Sequence, residues 1–393
     1  MVVLCMDWTS HTMEQIPPSG TLRMFELAKR LEGEGKRIYH FEVGQPDFPT
    51  PQNIVDAGIK ALRDGFTKYT SSRGIIPLRE AIQSYYGRRG MEIDANKNII
   101  VTPGAKMALF SGFLATLDRG DDVLLLAPAW PTYRVMVRSV GAKPVDVNMG
   151  ADYSLIEERL KDCVSRSVTA MIINTPNNPT GGVLEKDDMR LIHDLSEDHD
   201  FVVFSDEIYE SIVYDGFKQT SMLEMDPTLE HTLVINGFSK SYSMTGWRLG
   251  YAIGNDETIG NMNRIQQNTT SCAASFVQVA GVEALEGDQS SIESMITEYH
   301  RRRDEVTSSF CAIEGVGCVR PRGAFYVFPD FAAFGLSSST LAELILKKAG
   351  VTSTPGSVFG EKYDSHLRFS YATSIEEIRE GLAHLADFLS TMY

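Results

Sequence analysis

Cysteine is scarce in this chain and shows no paired pattern. Cys5, Cys163, Cys272, Cys311 and Cys318 form an odd, scattered set without a CxxC spacing. That argues against a disulfide framework and a structural zinc, and points to a reduced, cytoplasmic protein. Long apolar runs are missing too, so no window approaches what a membrane helix needs. The opening stretch MVVLCMDWTSH has a short apolar patch before Cys5 and no basic start, too little for a secretory signal. Positive charge is in deficit: 37 Lys+Arg stand against 52 Asp+Glu, a formal net charge of −15. Such a surface disfavours general nucleic-acid binding, although a local basic site for a small anion is compatible with it. The nucleotide loop GxxxxGKS/T and the dinucleotide fingerprint GxGxxG are both absent. No internal repeat or low-complexity linker interrupts the chain.

What is present is a regular alternation. The apolar runs NIIVT (98–102), DVLLLA (122–127), TAMIINT (169–175), FVVFSD (201–206), HTLVIN (231–236) and LGYAIG (249–254) read as buried strands. Segments of helical spacing, such as Met189, Ile192 and Leu195, separate them. Uninterrupted apolar strands alternating with helices imply a mostly parallel sheet covered on both faces. The C-terminal third differs. A long polar helix over 290–310 precedes GAFYVFPDF (323–331) and HLRFSYA (366–372), which read as strands. Ile375, Ile378, Leu382, Leu385 and Leu389 then mark an amphipathic helix. Residues 21–31 form another, expected to pack on this second unit. The fold class is therefore α/β: a three-layer αβα large domain with a mostly parallel sheet, plus a smaller α+β domain. The expected boundaries are an N-terminal arm at 1–14, a small domain of 15–48 plus 286–393, and a large domain of 49–285.

Ligands of open α/β sheets bind beyond the carboxyl ends of the strands, so the residues just past each strand carry the chemistry. After NIIVT, Pro103-Gly104-Ala105 opens an amphipathic helix whose first N–H groups suit a phosphate; a plain strand–helix turn explains it equally. After DVLLLA, Trp130 stands between two prolines, as core or as a stacking surface. After TAMIINT comes PNNPTGG, a turn in which Asn178 can hydrogen-bond towards the same rim. Asp206 ends a buried strand, where a carboxylate needs a partner: a helix to cap or a cationic ligand nitrogen. Tyr209 shares its face if a helical turn begins there. Last, NGFSKSYSMTGWRLGY holds Lys240 among hydroxyls, with Arg248 eight residues on. A desolvated lysine amine loses its proton readily and adds to carbonyls, whereas most lysines simply snorkel at the surface. Arginine's planar fork suits a phosphate. Each feature is weak alone, but together they match the needs of a pyridoxal phosphate site: a lysine for the aldehyde, an aspartate for the ring nitrogen, Tyr and Asn for the ring hydroxyl, and Arg with N–H groups for the phosphate.

The blocks GQPDFPTP, KYTSSRGIIPLREAI, NTPNNPTG, SDEIYE, FSKSYSMTGWRLGY, PRGAFYVF and LRFSYATS occur in an order that resembles the fold-type I pyridoxal-phosphate aminotransferases of class I/II. Within that family the likeness is greatest to the aspartate aminotransferase subgroup. The resemblance implies roles. Lys240 carries the cofactor aldehyde, Asp206 pairs with the ring nitrogen, and Tyr209 and Asn178 meet the ring oxygen. Trp130 stacks on the ring and touches substrate, as does Asn178. Arg248 and the N–H groups of Ala105 and Lys106, beyond Gly104, bind the phosphate, and Ser239 is a candidate hydroxyl donor. Many relatives carry a serine where this chain has Gly237, which leaves that donor open. Tyr69 reaches the phosphate of a neighbouring subunit, implying a homodimer with active sites at its interface. Arg368 clamps the substrate α-carboxylate with help from the Gly44 backbone; on residues alone it is equally a surface charge on a strand.

Ser19, Thr21 and Lys106 resemble a subgroup pattern that reads a distal carboxylate, although helix capping and a solvated lysine also account for them. The expected activity moves the α-amino group of an amino acid, aspartate by preference, to a 2-oxo acid such as 2-oxoglutarate by ping-pong kinetics. Prephenate, aromatic amino acids or alanine are alternative substrates, and a pyridoxal-phosphate lyase is an alternative enzyme. A non-enzymatic regulator is disfavoured, because about twenty residues before the first family block are too few for a DNA-binding domain. No nucleic-acid or membrane partner is expected.

Overall fold

The computed structural model describes residues 11–14, 16 and 20–392. Its main sheet has seven strands: β1 Ile99–Thr102, β2 Asp122–Ala127, β3 Lys143–Asn148, β4 Val168–Asn174, β5 Val202–Asp206, β6 Thr232–Gly237 and β7 Gly250–Ile253. Their order is β1-β7-β6-β5-β4-β2-β3. Only β7 runs antiparallel to its neighbours, β1 and β6. The six apolar runs are therefore all strands. β3 is not among them, because it is an edge strand in which Lys143, Asp146 and Asn148 interrupt the apolar signal.

Alternation within the strands builds the three layers. Ile100, Val123, Leu125, Ile172, Phe204 and Ile235 face one core, packed by Leu109, Phe113, Val137 and Met262. Their neighbours Val101, Leu124, Leu126, Ile173, Val203 and Val234 face the other, packed by Leu78, Ile82, Met189, Ile192 and Ala280. Burying each such side chain contributes roughly 1.5–3 kcal/mol. The helix Ala105–Thr116, expected to be amphipathic, is apolar on most sides. Both the sheet and the helix Asp256–Asn268 pack against it.

The C-terminal region carries a second sheet: β8 Tyr326–Val327, β9 Thr354–Pro355 and β10 Leu367–Ser370, antiparallel in the order β8-β10-β9. The strand expected over 323–331 shrinks to the two residues of β8. Ala324 adopts a left-handed φ of 53° and breaks the extended chain there, and the surrounding aromatics are buried as a loop. Helices Gly20–Gly33, Ser290–Cys311, Ser338–Ala349 and Ile375–Ser390 complete this part. The helix Gly20–Gly33 packs by β9, as expected. Ser290–Cys311 is polar in sequence yet buries Arg302 and Arg303. Arg303 binds Asp215, which lies in the segment after β5, through bonds of 2.7 and 3.0 Å. Among the described residues, no helix is long and apolar enough to cross a membrane.

Candidate active site

The loops after β1, β4, β5 and β6 meet at one rim with residues of the small sheet. Beyond β1, Gly104 takes φ 84°, ψ 159° and opens the helix Ala105–Thr116 without a side-chain cap. The positive φ favours glycine, and a Cβ there would lie 2.5 Å from a terminal nitrogen of Arg248, so a side chain would be strained and would push the guanidinium away. Arg248 is exposed, left-handed at φ 56°, and donates to the Thr245 carbonyl at 3.0 Å. Uncapped helix N–H groups beside a guanidinium make an anion site.

Asp206, at the end of β5, is 3 % exposed. It accepts from the Tyr133 hydroxyl at 2.6 Å and the Ile208 N–H at 3.2 Å. Burial pushes its carboxyl up to about 6, against the pull of those bonds and of the Lys240 charge. The chain after Asp206 forms a turn and not a helix, so of the two readings of Asp206 helix capping falls away, and Tyr209 sits in that turn. The Tyr209 hydroxyl lies 2.8 Å from that of Tyr326. Asn174 donates to the Asp206 carbonyl at 2.9 Å and accepts from the Asn178 N–H at 2.8 Å, binding the two loops together. Trp130 precedes the helix Pro131–Ser139 and meets Tyr133 edge-on at 5.3 Å. The exposed Lys106 holds its ammonium 5.0 Å from the Trp130 ring.

Lys240 is half-buried, and its Nζ donates to the Gly44 carbonyl at 2.6 Å. Its pKa falls to about 7, first through burial and then through Arg368, Lys106 and Arg248; Asp206 opposes the shift. Arg368, on β10, is buried. It donates to Asn178 Oδ1 at 3.1 Å, to Thr354 Oγ1 at 3.1 Å and to the Glu42 carbonyl. Its Nε is buried without a hydrogen-bond partner. Three cations thus crowd the Lys240 amine, with Asp206 as the opposing anion.

The structure brings together Gly44, Gly104, Ala105, Lys106, Trp130, Asn178, Asp206, Tyr209, Lys240, Arg248 and Arg368. Ser239 is buried next to Lys240. Tyr69 is 87 % exposed and packs on little of its own chain. Ser19 lies outside the described residues, and of Thr21 only the backbone in Gly20–Gly33 is described. Gly237 has a steric reason: a Cβ there would meet the Gly250 Cα at 2.9 Å and the Leu249 carbonyl at 3.0 Å, so β7 crowds out a serine. Sequence reasoning missed Tyr133, Tyr326, Thr354 and Glu42. Tyr133 had a signal, three residues after Trp130 at a helix start; the others depend on contacts between segments far apart in the chain.

A family model for aminotransferase class I and II matches residues 36–385. The chain belongs to this family. These aminotransferases depend on pyridoxal phosphate, and so does this one. The chain is 41 % identical to a (5-formylfuran-3-yl)methyl phosphate transaminase of Methanocaldococcus jannaschii, over 93 % of this chain and 95 % of that one. It is 37 % identical to aromatic-amino-acid aminotransferase 2 of Thermococcus litoralis, over 97 % and 98 %. Among solved structures it resembles an aspartate aminotransferase from Thermus thermophilus with maleate, at TM-score 0.92 and 36 % identity over 97 % of this chain and all of that one. The residues present fit the cofactor of these aminotransferases. Both hydrogen-bond donors to buried Asp206 are neutral, so a protonated ring nitrogen would supply its missing charge partner. The uncapped helix start and Arg248 would hold the phosphate.

Proposed function

We propose that this aminotransferase takes the amino group from a dicarboxylic amino acid, aspartate by preference, and gives it to 2-oxoglutarate in two half-reactions of one site. The observation that carries the substrate end is Arg368, a buried guanidinium whose Nε has no partner. It receives the α-carboxylate, and the Gly44 backbone closes over it. Lys106, beside Trp130, offers the charge for a distal carboxylate; Ser19 and Thr21 are its proposed helpers. Several relatives named aspartate aminotransferase support the acidic preference.

When bound, pyridoxal phosphate supplies an electron sink for the charge left at the substrate Cα. The protein's own groups do the rest. Lys240 carries the cofactor. Its Nζ, whose pKa is lowered by burial and by the neighbouring cations, takes the Cα proton. Asp206 stays ionised above its raised pKa and stabilises a protonated ring nitrogen. Tyr209 and Asn178 orient the ring oxygen, Trp130 covers the ring face, and Arg248, Ala105, Lys106 and Ser239 hold the phosphate. The seven-stranded and three-stranded parts correspond to large and small domains at 49–285 and at 15–48 plus 286–393, with 1–14 as an arm. Tyr69 completes the site of a second copy.

The deciding experiment follows the absorbance of the bound cofactor while Asp, Glu, Ala, Phe and Cys are added separately. Asp or Glu is expected to convert it fastest. Faster conversion by Phe would move the enzyme to the aromatic class, and pyruvate and ammonia released without an acceptor acid would make it a lyase.

A further inference from the structure

Glu42 is 0 % exposed and has no part in the chemistry above. An ionised carboxylate is seldom buried without strong partners. Both of its oxygens are filled. Oε1 lies 2.9 Å from His40 Nδ1, and Oε2 accepts from the Thr352 hydroxyl. The other ring nitrogen of His40 lies 3.0 Å from Glu32 Oε1, on the helix Gly20–Gly33. Only a protonated imidazole donates from both nitrogens, so an imidazolium bridges two carboxylates here.

Glu42 is also the residue around which Arg368 is held. One terminal nitrogen of Arg368 donates to the Glu42 carbonyl and to Thr354 Oγ1. Thr354 is two residues from Thr352, which the Glu42 side chain grips. Thr352 in turn accepts from the Phe41 N–H at 2.8 Å and donates its own N–H to the Tyr39 carbonyl at 2.9 Å. The Glu42 side chain thus clamps segment 39–42 against segment 352–354, and both acceptors of that Arg368 nitrogen sit on the clamped pair. The Arg368 Nε is buried and has no hydrogen-bond partner.

We propose that Glu42, held by the His40 imidazolium, is a positioning residue that fixes the Arg368 guanidinium for the substrate carboxylate. The proposal rests on Arg368 being the carboxylate clamp. Two effects of removing the Glu42 charge oppose each other. Loss of a nearby anion strengthens Arg368's attraction for carboxylates, whereas loss of the clamp lets the guanidinium wander. The anion already has a cation 2.9 Å away, so its field at Arg368 is largely cancelled and the positional loss dominates.

The test uses the holoenzyme and the variants Glu42→Gln, Thr352→Val and Arg368→Lys. The probes are maleate and 3-phenylpropanoate, carboxylates without an amine, titrated through the absorbance of the bound cofactor. KM and kcat are measured for both substrates. Glu42→Gln and Thr352→Val should each raise Kd and KM by about three- to tenfold, the effect of one hydrogen bond, with the smaller loss in kcat. Wild-type or tighter carboxylate binding in the folded variants, alongside weak binding in Arg368→Lys, overturns the positioning role alone. Undiminished binding in Arg368→Lys overturns the clamp itself. A loss confined to kcat and cofactor affinity also overturns the proposal, because it marks a general packing defect. If one substitution fails to fold, the other decides.

Discussion

At the scale of single residues, the site works by crowding like charges around a partly desolvated amine. Lys240 is surrounded by Arg368, Lys106 and Arg248, and burial removes the solvation that would keep its ammonium stable. The amine of an apoprotein should therefore react with an acylating reagent with a midpoint near pH 7, read by mass spectrometry, whereas an exposed lysine titrates near 10.4. A midpoint near 10 would remove the electrostatic account. Lys240→Ala should lower turnover by about a hundred- to ten-thousandfold, the worth of a general base, and substantial residual activity would exclude Lys240 from that role. Tyr133 acts through Asp206. Its hydroxyl favours the ionised carboxylate, so Tyr133→Phe should raise the Asp206 pKa further and weaken cofactor binding about tenfold, the loss of one bond to a charged group. Titration of the apoprotein with cofactor measures it, and an unchanged Kd would assign Tyr133 to packing alone.

At the scale of elements, strand ends and helix starts locate these residues. The helix Ala105–Thr116 can present free N–H groups because Gly104 holds a backbone that side chains avoid and leaves room for Arg248. Gly104→Ala should cost about 1–3 kcal/mol of local strain and displace the guanidinium, so cofactor affinity should fall more steeply than Tm. A fall in Tm with unchanged affinity would separate the turn from the site. The apolar runs revealed six of the seven central strands, because strands covered on both faces need uninterrupted apolar residues. They did not reveal β3, whose exposed edge tolerates Lys143 and Asp146, nor the direction of β7, which connectivity and pairing decide. They over-read 323–331, where a burial pattern like that of a strand belongs to a loop bent at Ala324.

At the scale of the whole molecule, the two sheets are joined by charge as well as by a continuous core. Arg303, fully buried, reaches Asp215, whose carboxyl is held down to about 2 by that bond first. The contribution is therefore complete above about pH 4 and lost as pH falls through about 2. Asp215→Asn should lower Tm at pH 7, and the gap to wild type should narrow only below about pH 4; a gap that persists unchanged in acid would assign the effect to packing. Asp215 is half-exposed, so solvent screening keeps the effect small. Assembly is the other property at this scale. Tyr69 lies near exposed Ile59, Leu62, Phe66 and Ile76 in the sequence, an apolar set that a second copy would cover. Sedimentation should show a dimer, and Tyr69→Phe should weaken cofactor binding; a monomer with full affinity would remove Tyr69 from the site. By itself the sequence determined the layered α/β fold and the family with its cofactor, and it nominated the residues proposed to hold that cofactor, because periodicity and strand-end chemistry are local properties of the chain. Tertiary structure alone decided the Tyr133–Asp206 bond, the buried Glu42 beside Arg368, the steric need for Gly237 and the lowered pKa of Lys240. Each of these depends on groups hundreds or tens of residues apart being brought within a few ångströms and out of water, which no local pattern records.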